Sequence, residues 1–259
     1  MKKHHLDTGT VATTIDGKVA YITFSHPAHN ALPSALLSRL AALIRRLGKT
    51  VTIKLIVLQS EGDRTFCAGA NFDELLSIEN AVEGKTFFNG FVHVINAIRL
   101  ANQLVVGRIQ GKAVGGAVGL AAACDYCFAT IHAQIKLSEL SIGIGPFVVA
   151  PVIQRKIGLS KLTELTLQPD VFKSAQWGLE AGLFQVVSQD IHTMDTLLKD
   201  FCERLVSYSP LALSEIKKML WKGTADWDAL LFNQAEISGK LVVDKKTKSL
   251  LKQFKTKKR

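Results

Sequence analysis

The chain has 259 residues, 47% of them hydrophobic, and a formal net charge of +10. That length is long for one domain and short for two, and the apolar content suffices for a large core. No apolar run reaches the ~20 residues that cross a bilayer, and Met1-Lys2-Lys3-His4-His5 lacks the apolar stretch of a signal peptide, so the expectation is a soluble, cytoplasmic protein with no membrane partner.

Val11 to Ser25 reads as two strands parted by Asp16-Gly17, a hairpin signal. Leu36, Leu37, Leu40, Leu43, Ile44 and Leu47 recur at helical spacing, which predicts a helix over 33–47. Val51 to Leu58 is a β-rich run. It is followed by a turn of small residues, Phe66-Cys67-Ala68-Gly69-Ala70-Asn71-Phe72. A helix is expected over 83–101, where Phe87, Phe88 and Phe91 line a pocket or simply fill core. Val105 to Ile109 reads as a strand, and Gly115 opens the next helix. Tyr126 to Ile131 and Ile135 to Leu137 are short strands. From about Phe147 helices dominate, with breaks at Gly158, Pro169, Gly182, Pro210 and Gly223. Strands alternating with helices, then a run of helices, predict an α/β core with a helical C-terminal part.

Two stretches carry the chemistry. In Gly111-Lys112-Ala113-Val114-Gly115-Gly116-Ala117-Val118-Gly119, glycines crowd the start of a helix. Backbone amides unobstructed by side chains, at a helix N-terminus, suit a developing negative oxygen. The turn at 66–72 lies about 45 residues upstream and offers a second such amide. Glu139 follows, in Lys136-Leu137-Ser138-Glu139-Leu140; its apolar flanks Ile135, Leu137, Leu140 and Ile142 predict a buried setting and a raised pKa.

With Pro27-Ala28-His29-Asn30-Ala31-Leu32, the turn at 66–70, Gly115-Gly116 through Cys124-Asp125, and Glu139, the sequence resembles the enoyl-CoA hydratase/isomerase family, the crotonase superfamily. The resemblance runs from about Val19 to Val187 and more weakly to the end. It implies a spiral of ββα repeats with a helical C-terminal region: a core over 1–190 holding an acyl-CoA site, and an oligomerisation region over 191–259. It further implies an acyl-CoA substrate, a homotrimer or a dimer of trimers, and no cofactor beyond the coenzyme A of the substrate. Carried over by position, Ala70 and Gly116 are the oxyanion donors and Glu139 the acid/base. Asn30, Ala31, Leu32, Ala68, Asn71 and Gly115 border the substrate's coenzyme A.

One departure bears on the reaction. Hydratases of the family carry a second glutamate three residues after the oxyanion glycine, and here that position is Gly119. Adding water needs it held and deprotonated while another carbon is protonated; shifting a double bond needs only one base. Gly143-Ile144-Gly145-Pro146-Phe147 also resembles the isomerases. The single-carboxylate pattern therefore favours isomerisation. A hydratase recruiting Asp73, Glu74 or Glu79 is an alternative, as is a non-catalytic scaffold that binds RNA or a partner.

Two further features are weighed apart. Cys124 and Cys127 have a C-x-x-C spacing but no second pair, so they read as buried thiols, and the histidines show no metal spacing. Asp125 is expected to satisfy backbone or a neighbour at a strand start. Residues 240–259 hold nine Lys and Arg against one acid, Asp244, which leaves +2 for the other 239 residues. Leu250, Leu251 and Phe254 fall at helical spacing there, so the tail docks as an amphipathic helix, is simply solvated, or attracts the phosphates of coenzyme A or RNA. Without an RNA motif or stacking platform, nucleic acid is not the expected partner.

Overall fold

The computed structural model describes residues 9–257. Met1-Lys2-Lys3-His4-His5, on which the signal-peptide reading rests, and the last two residues of the basic tail lie outside them. β1 (Thr10–Asp16) and β2 (Val19–Ser25) form the expected antiparallel hairpin. α1 follows (Ser34–Leu47) and buries Leu36, Leu37, Leu40, Ile44 and Leu47, the stripe that its 3.6-residue period dictates.

The chain then winds as a spiral. β3 (Leu55–Ser60) enters one sheet and β4 (Thr65–Cys67) a second; α2 (Phe72–Ser77) and α3 (Ala81–Arg99) lead back. β5 (Leu104–Ile109), β6 (Lys112–Val114) and α4 (Gly116–Ala123) repeat the path, and β7 (Tyr126–Thr130) and β8 (Gln134–Lys136) begin it a third time. After α5 (Ala150–Leu167), β9 (Lys173–Ser174), α6 (Ala175–Glu180) and β10 (Val186–Ser188), the sheets read β1-β2-β3-β5-β7-β10 and β4-β6-β8-β9. Every pair along β2-β3-β5-β7-β10 and β4-β6-β8 is parallel. This is the spiral of ββα repeats that the resemblance implies, an α/β fold with a helical C-terminal region.

β3 is buried on both faces, as a parallel strand covered twice should be. Ile56 and Leu58 point into the main core, while Leu55 and Val57 meet Met194, Leu198 and Cys202 of α7 (Ile191–Ser207). The strand expected from Val51 starts only at Leu55, because residues 48–52 make the turn out of α1 and leave Val51 95% exposed. β4, β6, β8, β9 and β10 have two or three residues each, too few for a period of two to register. Gly158 kinks α5 at φ 77°.

α8 (Pro210–Leu220), α9 (Trp227–Leu241) and α10 (Lys245–Lys257) complete the chain. α9 lies on α3 so closely that a Cβ on Gly84 would stand 2.8 Å from the Gly239 Cα. Leu231, Ala235, Val242 and Leu251 are buried in the same core as α3, and Phe232 packs edge-on against His93. Leu231 is fully buried, Leu230 and Phe232 are partly buried against that core, and Ile237 stays 39% exposed. No described helix is long and apolar enough to cross a membrane.

Candidate functional site

The second sheet builds the site. Its parallel strands β4, β6 and β8 lie side by side, and the segment leaving each carries one of the predicted motifs: Ala70, Gly115-Gly116 and Glu139. Ligand sites in open α/β sheets form beyond such C-terminal strand ends.

After β4 the chain is gripped by the loop at 28–32. Ala68 N–H donates to the His29 carbonyl, Leu32 N–H to the Gly69 carbonyl, and Asn71 N–H to the Leu32 carbonyl. These bonds straddle Ala70 and leave its N–H without an acceptor among the described residues. Gly69 adopts φ 86°, and a Cβ there would lie 2.5 Å from the Val114 carbonyl oxygen and 3.5 Å from the Gly116 nitrogen. Only glycine allows the two turns to touch. After β6, Gly115 (φ 58°) reverses the chain, and its N–H donates to the Lys136 carbonyl. The Gly116 N–H, first in α4, likewise has no acceptor among the described residues. Two unpartnered amides, one reinforced by a helix N-terminus, thus border the same cavity.

That cavity is about 550 Å³. Ala31, Ala68, Ala70, Asn71, Gly115, Gly116 and Glu139 all line it. Asn30 and Leu32 do not. Asn30 stands at φ 57° and spends its amide on the carbonyls of Glu61 and Thr65 and on the His26 N–H; Leu32 is fully buried. They shape the wall rather than face the cavity. Asn71 caps α2 by accepting from Glu74 N–H. Phe88 and Phe91 line the cavity, and Phe87 packs behind them at ring distances of 5.3 and 6.3 Å.

Glu139 is half-buried as a residue, but its Oε2 is sealed from solvent and has no hydrogen-bond partner among the described residues. Its Oε1 is held against Gly115, where a Cβ would come within 3.0 Å. Its backbone carbonyl accepts from Ile142 and Ile144 N–H, which fixes the residue through a 3₁₀ turn, Leu140–Ile142. Burial pushes its carboxyl pKa up to about 7.

Gly119 is closed. A Cβ there would meet Val149 Cγ1 at 2.3 Å and Val149 Cβ at 2.5 Å, so Val149 fills the place a glutamate side chain would need. Val149 is 30 residues downstream, and no local signal links the two. Of the loop acids, Glu74 accepts from Ser34 N–H at the start of α1, and Glu79 is exposed and off the cavity. Asp73 lines the cavity but is paired with Lys255 at 2.7 Å. Asp125 accepts from Val105 N–H (2.7 Å), Lys217 Nζ (2.6 Å) and Trp221 Nε1 (2.7 Å), which ties α8 to the end of α4. Cys124 and Cys127 are buried free thiols donating to the Leu120 and Ala121 carbonyls. Sequence reasoning did not assign Ser138, Val149, Phe172 or Phe254 to the site, yet all four line the cavity.

The chain matches the family described as enoyl-CoA hydratase/isomerase over residues 14–257. It is 27% identical over 237 residues to a short-chain-enoyl-CoA hydratase of Clostridium acetobutylicum, covering 90% of each chain. It is 26% identical over 212 residues to a probable enoyl-CoA hydratase of Bacillus subtilis, covering 82% of this chain and 81% of that one. The structure of an enoyl-CoA hydratase from Bacillus halodurans superposes with a TM-score of 0.87 at 24% identity, over 94% of this chain and 99% of the other, a likeness of fold. Fold, turns and sequence agree that the chain belongs to the enoyl-CoA hydratase/isomerase family of enzymes, the crotonase superfamily.

Proposed function

We propose that this enzyme binds an acyl-CoA thioester and shifts a double bond between the 3- and 2-positions of the acyl group. The observation that carries the reading is one carboxylate, Glu139, with its Oε2 sealed and without a hydrogen-bond partner among the described residues, sharing a cavity with two unpartnered amides while Val149 closes Gly119. Ala70 N–H and Gly116 N–H donate to the thioester oxygen. Glu139 takes a proton from C2 of a 3-enoyl thioester, and the C2–H electron pair moves into a dienolate whose charge rests on that oxygen. The same carboxyl returns the proton to C4. Each amide strengthens as charge develops, and losing one costs about 3 kcal/mol of barrier. A carboxyl near pKa 7 suits both halves of the transfer at neutral pH.

Ala31, Ala68, Asn71 and Gly115 border the thioester and its coenzyme A, which enters as part of the substrate. The cytoplasm is the compartment we assign. The association is a homotrimer or a dimer of trimers, for which exposed Leu140, Leu159, Leu167 and Val171 supply apolar surface. Hydration is the second reading, favoured by the names of the relatives. It would draw its second acid from Asp73, which alone among the three loop acids lines the cavity.

Calorimetry tests the thioester reading. Hexanoyl-CoA should bind about tenfold or more tightly than free coenzyme A, the gain expected from burying a few methylenes. Equal affinities would contradict it.

A further inference from the structure

The Glu139 carboxyl is aimed by its backbone, since its Oε2 has no hydrogen-bond partner among the described residues. That backbone is a closed turn. Glu139 is the N-cap of the 3₁₀ turn Leu140–Ile142, and Gly143 ends the turn at φ 83°. The Gly143 N–H donates to the Leu140 carbonyl at 3.0 Å, and the Ile144 N–H donates to the Glu139 carbonyl at 3.0 Å. The Gly143 carbonyl and the Ile144 N–H belong to one planar peptide unit and point to opposite sides of it. Whatever holds that carbonyl therefore also sets the N–H that holds Glu139.

The holder is Thr247 of α10, whose Oγ1 donates to the Gly143 carbonyl at 3.0 Å. Thr247 is 2% exposed, so bulk water does not compete for the bond. The approach is close: a Cβ on Gly143 would stand 2.6 Å from Thr247 Oγ1 and 3.3 Å from Thr247 Cα. Glycine at 143 meets both demands, the left-handed φ and this contact. Thr247 is itself fixed. Its N–H donates to Asp244 Oδ1 at 3.3 Å. The next residue, Lys248, donates through Nζ to the carbonyls of Leu75, Leu76 and Ile78 at the C-terminal end of α2, and Leu251 is fully buried. Ile142 and Ile144 line the cavity, whereas Gly143 and Thr247 do not. Thr247 thus reaches the site only through the turn.

We propose that Thr247 is a positioning residue: its hydroxyl, acting through the peptide between Gly143 and Ile144, holds the turn that aims the Glu139 carboxylate into the cavity. This rests on the reading of Glu139 as the acid/base group. It gives the basic C-terminal helix a part in the reaction without contact with the substrate.

Thr247→Val keeps the shape of the side chain and removes the donor. Its kcat on a 3-enoyl-CoA should fall about tenfold to 10²-fold, the cost of a misplaced catalytic group, while hexanoyl-CoA affinity in calorimetry stays within about twofold. Thr247→Ser restores the donor and should recover most of the lost kcat. Thr247→Ala takes the place of the valine variant if that one folds poorly. In a Glu139→Gln background, Thr247→Val should cause no further loss, because the group it positions is gone. An unchanged kcat without the hydroxyl, a loss that serine does not recover, or an equal loss with and without Glu139 would overturn the assignment of Thr247. Near-full turnover in Glu139→Gln alone would instead overturn the acid/base reading of Glu139.

Discussion

Glu139→Gln should lower kcat on an enoyl-CoA about 10²–10⁴-fold, the range that a positioned general acid/base supplies, with ligand affinity held within a few-fold. The amide keeps the shape of the side chain and removes the proton shuttle. The pH profile carries a second signature. Burial raises the Glu139 pKa from 4.5 to about 7, and only the ionised carboxylate removes a proton. Wild-type kcat/KM should therefore rise about tenfold per pH unit on the acid side and level off above about 7. The same shift has a cost in stability. The unfolded carboxyl ionises first, so between pH 4.5 and 7 the native state binds more protons, and stability falls as pH rises through that window. At full ionisation the loss is roughly 3 kcal/mol. The glutamine variant lacks this term, so it should be more stable than the wild type at pH 8 and comparable at pH 4. Near-full turnover in the variant would place the chemistry elsewhere.

The second large effect is structural. Asp125→Asn leaves Lys217 buried without its counter-charge: their side chains are 4% and 3% exposed and 2.6 Å apart. Breaking such a pair from one side costs about 3–5 kcal/mol, because the remaining charge stays desolvated. Burial already pulls the Lys217 pKa down. For a chain of this size the loss should appear as a fall in Tm of roughly 6–20 °C in scanning calorimetry. Adding Lys217→Met should recover part of it, since the orphaned charge is then gone. A Tm within about 2 °C of the wild type would mean that water reaches the pair, and that α8 is not held to the α4–β7 joint by it.

What could be read from sequence, and what could not, follows from range. The turns at 66–72 and 115–116 were legible because crowded glycines before a helix have few other uses, and their mutual contact through Gly69 follows from β4 and β6 being neighbours. The burial of Glu139 was legible in its apolar flanks. Strands of two or three residues, such as β4 and β8, leave no period to detect. Val149 against Gly119 and Phe254 against Phe72 are contacts across the spiral, which no local pattern encodes. Leu250, Leu251 and Phe254 showed that the tail can form an amphipathic helix, but not that the helix lies over the site.

In the reaction we propose, one carboxylate, Glu139, carries both proton transfers. This is tested most directly by giving the wild-type enzyme matched 3-enoyl-CoA and 2-enoyl-CoA thioesters and following the double-bond shift and the addition of water separately. Conversion of the 3-enoyl to the 2-enoyl form should be faster than hydration of the 2-enoyl form. Efficient hydration with no double-bond shift would contradict it and bring a second acid, Asp73 first, into the mechanism.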